Sequence, residues 1–181
     1  CVLAILAAIV FNFLSTEKDR SFLERRSPVA TASMFAFFIL LYGTIRLRWS
    51  ALELEGRVVL RSFGLALMLF GGAFNIRGRI FLKTNWADHV RIYEDQKLVT
   101  DGPFRIVRHP LYASLIWMFY GAALAYLNPL AALETTLIFI PAMVYRSNLE
   151  EQALIKTFGD AYSDYRKKTG RFFPTSGWSR T

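Results

Sequence analysis

The sequence predicts an all-α protein, a polytopic integral membrane bundle of about five transmembrane helices. Of its 181 residues, 54% are hydrophobic and only 20% are charged, whereas soluble domains usually carry more charge and fewer long apolar runs. The charged residues also cluster between apolar blocks, as they do in membrane-protein loops. The net charge of +8 is therefore attributed to basic residues beside the lipid bilayer, and no nucleic-acid partner is expected.

Five apolar blocks define the predicted spans: residues 1–14, 29–45, 58–76, 111–127 and 130–145. The first is shorter than the ~20 residues that cross a bilayer, so it is interpreted as a shortened span. Asn128 and Pro129 alone separate the last two blocks, which predicts an antiparallel helical hairpin. Pro141 lacks a backbone donor and is expected to kink the fifth span, leaving the Leu137 carbonyl without its helical partner. Glu134, one turn after the bend, is expected to reach the membrane interface.

Polar segments connect and follow these spans. A short hairpin is predicted within residues 90–100 of the long segment 77–110. A charged helix is expected to follow the fifth span as far as Phe158, where Gly159 stops it. Asp160 is then expected to cap a final helix that ends near Lys168.

The distribution of basic residues predicts the orientation of the bundle. Lys and Arg number 4 in residues 15–28, 3 in 46–57, 7 in 77–108 and 7 in 146–181. With five spans, the first, third and last of these segments lie on one side of the membrane. Because cytoplasmic loops carry the excess of Lys and Arg, that side is predicted to be the cytoplasm.

Residues 102–112 combine a turn, cationic side chains and the predicted start of a helix. Gly102 and Pro103 favour the turn, and Arg108 and His109 precede Pro110, which suits the first position of a helix. A helix N-terminus with cationic neighbours is suited to binding an anion. Arg108 alone is equally typical of a membrane anchor, but anchoring does not require the histidine. With one cysteine and two histidines, the chain is expected to have neither an internal disulfide nor a metal site.

A second charged group follows the fifth span. Arg146 and Glu150 are four residues apart and share one helix face, where an ordinary surface ion pair is the alternative to a site. The helical hairpin would bring them to the same membrane edge as His109. Glu151 projects about 100° away from Glu150, so only one of the two glutamates is expected to face inward. Clustered ionisable groups at a bilayer edge indicate a functional site.

These motifs resemble the isoprenylcysteine carboxyl methyltransferase family, membrane enzymes that use S-adenosylmethionine and are related to phospholipid N-methyltransferases. The resemblance covers roughly residues 58–174 and rests on Leu98-Val99-Thr100-Asp101-Gly102-Pro103-Phe104, Arg108-His109-Pro110-Leu111-Tyr112, Arg146, Glu150-Glu151, Phe158-Gly159, Tyr162, Tyr165 and Pro174. It implies N-terminal transmembrane helices in residues 1–76 and a catalytic region in 77–181. The hairpin segment and the C-terminal helices would close a cytoplasmic cofactor pocket.

The resemblance also implies roles for particular residues. Arg146 and Glu150 would be catalytic, with Arg146 facing the substrate. The residues implied to wall the pocket or hold the cofactor are Gln96, Lys97, Leu98, Val99, Phe104, His109, Pro110, Leu111, Tyr112 and Glu150. Three positions depart from the family pattern: Gln96 stands for a frequent His, Phe104 for a Tyr, and Ser114 for a Gly.

The chemistry of the residues agrees with this implication. The carboxylate of S-adenosylmethionine suits His109 and the helix N-terminus, and its ammonium group suits Glu150. Methyl transfer to an ionised carboxylate needs no general base, so Arg146 would only have to orient the acceptor. A lipophilic or prenylated substrate would enter from the membrane. Three alternatives are amine methylation of a lipid headgroup, an NADPH-dependent reductase of the sterol-reductase type, and a membrane protein without catalytic activity. Neither the acceptor nor the oligomeric state follows from the sequence.

Overall fold

The computed structural model describes residues 28–48, 57–82 and 98–174, and these residues form a helical bundle. Within these ranges there is no β-strand, only an isolated parallel bridge between Val107 and Gly170. The predicted all-α class is confirmed. The predicted first span and residues 90–97 of the predicted hairpin lie outside the described residues. The α-helices, in chain order, are α1 (Pro28–Arg46), α2 (Arg57–Leu82), α3 (Pro103–Ile106), α4 (Pro110–Ala125), α5 (Pro129–Glu134), α6 (Ile140–Phe158) and α7 (Asp160–Lys168).

In the part of the chain that the structure describes, two continuous helical segments are long and apolar enough to cross a membrane, Arg57–Leu82 and Pro129–Phe158. Most of the outward side chains of α2 are apolar, and Val59 is 73% exposed and Phe63 60% exposed. Such a surface suits contact with lipid. The helix continues to Leu82, six residues past the predicted end of the third span, so its last turn and a half lies beside residues 102–111. The count of five spans remains a prediction.

Small residues allow α2 and α4 to pack with their backbones in contact. Gly64, Gly71 and Gly78 are buried and recur every seven residues along the face of α2 that meets α4. A Cβ atom at Gly64 would lie 2.5 Å from the backbone nitrogen of Ala125 and 2.6 Å from the carbonyl oxygen of Gly121. Gly121 is equally close to α2 in return. Such close approach is typical of membrane helices that associate through small residues.

The fifth predicted span is one continuous helical segment of three parts. Asn128 caps α5 by accepting a hydrogen bond from the backbone of Ala131, and a π-helical turn over Thr135–Phe139 joins α5 to α6. In this turn the N–H of Ile140 donates to the carbonyl of Thr135, five residues earlier. The shift in hydrogen-bond register lies directly before Pro141, which supplies no N–H of its own.

Glu134 is enclosed by the protein, and its position at the membrane interface remains a prediction. Its side chain is buried, and its Oε1 accepts a hydrogen bond of 2.6 Å from Thr44 Oγ1 near the end of α1. Asn128 adds a second link to α1 by donating to the Thr44 carbonyl at 3.3 Å. Glu134, the last residue of α5, is therefore held against α1 by a buried hydrogen bond.

The C-terminal helices follow the predicted order with one change. α6 ends at Phe158, as expected, and Gly159 takes a positive φ of 54°. Gly159, not Asp160, is the N-cap of α7, and no side chain caps that helix. Asp160 instead lies in the first turn, where its charge suits the positive end of the helix dipole.

The glycine contacts predict different effects for two identical substitutions in α2. We expect Gly64→Ala to lower the free energy of unfolding by about 1–3 kcal/mol, because the added methyl group meets backbone atoms that cannot move aside. Gly72 is the matched control, since a Cβ there meets nothing within 4 Å. Unfolding in detergent should show Gly72→Ala to be no less stable than the parent protein, and equal stability of the two variants would contradict the packing account.

Candidate active site

The site begins at the turn that enters the α4 helix. Gly102 takes a φ of 58°, and a side chain there would collide with the ring of Phe81 from α2, 2.6 Å away. The position therefore requires glycine both for its backbone conformation and for space. Phe104, in α3, is buried, and its carbonyl accepts a hydrogen bond of 2.5 Å from Tyr165 Oη of α7.

The backbone of Arg108 and His109 is paired with the chain that follows α7. The N–H of Arg108 donates to the Gly170 carbonyl at 2.7 Å, and that of His109 donates to the Arg171 carbonyl at 3.1 Å. His109 is the N-cap of α4 but its side chain makes no capping hydrogen bond. Pro110 has no N–H, so the N–H groups of Leu111 and Tyr112 form the free end of this helix.

The His109 ring lies between two carboxylates. Its Nδ1 is 3.4 Å from Glu150 Oε2, and its Nε2 is 3.1 Å from Glu151 Oε1. The ring is buried. Burial alone would lower its pKa, but the hydrogen bonds and negative charges of the two glutamates outweigh it and raise the pKa above 6.5. The expectation that only one of the two glutamates faces inward was wrong. The His109 ring lies between the Glu150 and Glu151 side chains and contacts each with a different nitrogen.

Glu151 is the most enclosed charge of the site, with 2% of its surface exposed. Besides His109, three guanidinium groups surround it: Arg108 Nη2 at 3.1 Å, Arg171 Nη2 at 3.3 Å and Arg166 Nε at 3.4 Å. Burial would raise the pKa of this carboxyl, but His109, Arg108 and Arg171 together lower it to about 2. Glu151 is therefore a fixed anion that holds three guanidinium groups and the His109 ring together.

Arg108 connects this anion to the end of α7. In addition to Glu151, its Nη1 donates to the carbonyls of Arg166, at 3.0 Å, and Thr169. Carbonyls at a helix C-terminus lack partners within the helix, and a guanidinium group satisfies them well. Arg108 therefore links Glu151 to the end of α7 inside the protein, and it does not act as a membrane anchor.

Glu150 has the more accessible carboxylate. Its side chain is 26% exposed and contacts Arg146 Nε at 3.5 Å, and the Tyr112 hydroxyl donates to its Oε1. The Arg146 guanidinium lies over the Tyr112 ring, 5.8 Å from its centre, a favourable cation–π geometry. Glu150 is beyond the apolar part of its helix. Burial would raise its pKa, but His109, Tyr112 and Arg146 outweigh it and lower the pKa, which keeps the group ionised.

The structure brings together most, though not all, of the residues predicted for the site. His109, Tyr112, Arg146 and Glu150 form one connected group. Leu98 and Val99 are partly buried in irregular backbone, and Gln96 and Lys97 lie outside the described residues. In the parts of the chain that the structure describes, no group of three or more His, Cys, Asp or Glu side chains is placed to hold a metal ion.

Two arginines of the site were not predicted. Arg166 and Arg171 both reach Glu151 Oε2, although they lie 15 and 20 residues after it. Neither arginine lies at a sequence spacing from Arg108 or His109 that would indicate a contact. Their contact with Glu151 depends on how α7 and the segment after it pack against α6. Phe172 follows them and is buried, and its ring makes a T-shaped contact with that of His109, with the ring centres 6.2 Å apart.

Comparisons with solved and curated proteins bear on the fold and the family of the chain. The fold matches the structure of the eukaryotic intramembrane Ras methyltransferase ICMT (isoprenylcysteine carboxyl methyltransferase), with a TM-score of 0.59 at 20% identity over 88% of this chain and 57% of that one. A probable protein-S-isoprenylcysteine O-methyltransferase of Oryza sativa subsp. indica is 30% identical over 113 residues, which cover 61% of this chain and 59% of the relative. The chain thus spans less than two thirds of the length of these relatives.

The relatives do not all share one named acceptor. A methanethiol S-methyltransferase of Pseudomonas deceptionensis is 32% identical over 81 residues, which cover 41% of this chain and 30% of that protein. The sequence profile of the phospholipid methyltransferase family matches residues 59–161, more than half of the chain. These matches confirm the resemblance to isoprenylcysteine carboxyl methyltransferases that the motifs indicated. The chain belongs to the phospholipid methyltransferase family.

Proposed function

We propose that this membrane protein is an S-adenosylmethionine-dependent methyltransferase that esterifies the carboxylate of an isoprenylcysteine-like or other lipophilic substrate. The observation that carries the proposal is the grouping of His109, Glu150, Tyr112 and Arg146 at the N-terminus of α4. The named activities of its relatives support the same reaction class. The predicted orientation would place this group on the cytoplasmic side of the membrane.

The polar groups at the start of α4 suit the amino-acid part of S-adenosylmethionine. The N–H groups of Leu111 and Tyr112, at the positive end of the helix, suit its carboxylate. Glu150 is ionised and partly exposed, so it suits the ammonium group. The sequence alone predicts that His109 meets the cofactor carboxylate directly. Because both of its ring nitrogens face glutamates, we instead assign it to orienting Glu150 beside the helix end.

Arg146 is suited to orient an anionic acceptor. When bound, S-adenosylmethionine supplies an electrophilic methyl group on a sulfonium centre, and an ionised carboxylate needs no base to accept it. The chain's contribution is then positioning and exclusion of water. The Arg146 side chain is 24% exposed, and contacts with Glu150 and the Tyr112 ring fix its direction. A guanidinium group binds a carboxylate through two parallel hydrogen bonds, which Lys cannot reproduce.

The charge of Arg146 also bears on the alternative acceptor, an amine of a lipid headgroup. A protonated amine would be repelled by the guanidinium and would have to lose a proton, for which Glu150 is the nearest base. The carboxylate reaction needs neither step, so it is the preferred proposal. An apolar substrate would reach the site sideways from the bilayer, and the soluble cofactor would arrive from water.

The cofactor assignment is tested by calorimetry in detergent with S-adenosylhomocysteine and NADPH. We expect S-adenosylhomocysteine to bind and NADPH not to bind. His109→Ala and Glu150→Ala should each weaken binding about tenfold or more, because hydrogen bonds to charged groups contribute about 1.5–3 kcal/mol. Asp164→Asn is the control, since it removes an exposed acid that pairs with Lys167 on the surface of α7. Binding of NADPH alone, or unchanged affinity in both site variants, would contradict the assignment.

The role of Arg146 is tested by separating turnover from binding. With an S-farnesyl cysteine derivative as acceptor, Arg146→Ala should lower kcat at least about 100-fold, the cost of a misplaced reactant. Its affinity for S-adenosylhomocysteine should stay within about fivefold of the parent value, because a partly exposed ion pair contributes at most about 1 kcal/mol.

Arg146→Lys is the matched control, and it should recover only part of the activity because it keeps the charge but not the paired donors. The product should be a base-labile methyl ester. Normal turnover by Arg146→Ala would remove Arg146 from the mechanism, and a base-stable product would favour amine methylation.

A further inference from the structure

A short series of polar side chains links α2 to the first turn of α4. Arg79 Nε donates to Asn75 Oδ1 at 3.0 Å, and Asn75 Nδ2 donates to Ser114 Oγ at 2.7 Å. Ser114 Oγ in turn donates to the Leu111 carbonyl at 2.7 Å, and Asn75 Nδ2 lies 3.4 Å from the same oxygen. We name these three side chains, Arg79, Asn75 and Ser114, the α2–α4 relay. It runs from a guanidinium group on α2 to a backbone carbonyl in the turn that begins the site.

The relay is fixed by the packing around it. Ser114 is completely buried, and Gly71 and Gly78 flank Asn75 along the same face of α2. A Cβ at Gly71 would lie 3.0 Å from the Ser114 carbonyl oxygen, and one at Gly78 would lie 3.2 Å from Leu111 Cδ2. The two helices are therefore in close contact on both sides of Asn75. Polar groups enclosed in this way are stable only when they are hydrogen-bonded to each other.

We propose that Arg79, Asn75 and Ser114 are positioning residues, which set the place of the first turn of α4 relative to Glu150 and Arg146. Leu111 carries the carbonyl that the relay holds, and the next residue, Tyr112, donates its hydroxyl to Glu150 and lies under Arg146. A rotation of this turn would displace the Tyr112 hydroxyl together with the backbone N–H groups of Leu111 and Tyr112. The identity of the affected ligand, S-adenosylmethionine, rests on the proposed function.

The relay depends on the hydroxyl group of Ser114, which accepts from Asn75 and donates to the Leu111 carbonyl. A residue without a hydroxyl at this position would leave Asn75 Nδ2 only its 3.4 Å contact with that carbonyl.

The positioning role is tested first without any ligand. Hydrogen–deuterium exchange in detergent should show that the amides of residues 108–116 exchange at least about threefold faster in Asn75→Ala and Ser114→Ala, a factor that matches the average interhelical hydrogen bond in membranes. Tyr120→Phe is the matched control, because Tyr120 on the same helix shares a 2.7 Å hydrogen bond with Thr136, away from the site. Unchanged exchange in both relay variants would overturn the proposal. Should Asn75→Ala fail to fold, Ser114→Ala decides the outcome.

The consequence for the site is tested by titrating the same variants with S-adenosylhomocysteine. Each relay variant should bind S-adenosylhomocysteine about threefold to twentyfold more weakly than the parent protein. The double variant should bind no more weakly than whichever single variant has the lower affinity, because the two side chains act through one hydrogen-bonded series. The KM for S-adenosylmethionine should rise by a similar factor, whereas a smaller fraction of folded enzyme would lower the apparent kcat and leave KM unchanged. Faster exchange with unchanged affinity and KM would overturn the positioning role. If the parent protein bound no S-adenosylhomocysteine, the proposed function would fail, and the exchange experiment would still decide whether the relay holds the turn.

Discussion

The site depends on one buried carboxylate, that of Glu151. It is enclosed by His109 and by three arginines that come from three different parts of the chain: the turn before α4, the α7 helix and the segment after it. A buried charge is tolerated only when it is paired, and removing one partner of such a pair typically costs about 3–5 kcal/mol. The α4–α6 hairpin, α7 and residues 169–172 are therefore held as one unit.

The two adjacent glutamates have different surroundings and, in this account, different roles. Glu151 is enclosed and fully compensated, whereas Glu150 keeps an accessible side towards Tyr112 and Arg146. His109 contacts both, so the anchored glutamate also determines where the histidine holds the accessible one. The polar relay through Asn75 and Ser114 supports the same region from the α2 side. Rigid surroundings of this kind favour a reaction that proceeds by positioning.

Features with local signals were predictable from the sequence. The apolar block 111–127 corresponds to α4 (Pro110–Ala125), and α6 ends at Phe158, before Gly159, as expected. These features were predictable because proline, glycine and apolar runs determine the structure of the segment in which they occur. Contacts of Glu151 with Arg166 and Arg171 were not predictable, since they depend on how α7 folds back. The burial of Glu134 against Thr44 likewise depends on packing between distant helices. Asn75 is a lone amide in an apolar block, a pattern typical of a polar contact between membrane helices.

The division of roles between Glu150 and Glu151 is tested most directly by making the same substitution at both and measuring stability and binding in each. Glu151→Gln should lower the free energy of unfolding by about 3–5 kcal/mol, because Arg108 and Arg171 lose their counter-charge. The free energy of unfolding of Glu150→Gln should be within about 1 kcal/mol of that of the parent protein. This variant should nevertheless bind S-adenosylhomocysteine at least about tenfold more weakly. Parent-like stability of Glu151→Gln, or parent-like binding by Glu150→Gln, would contradict the account.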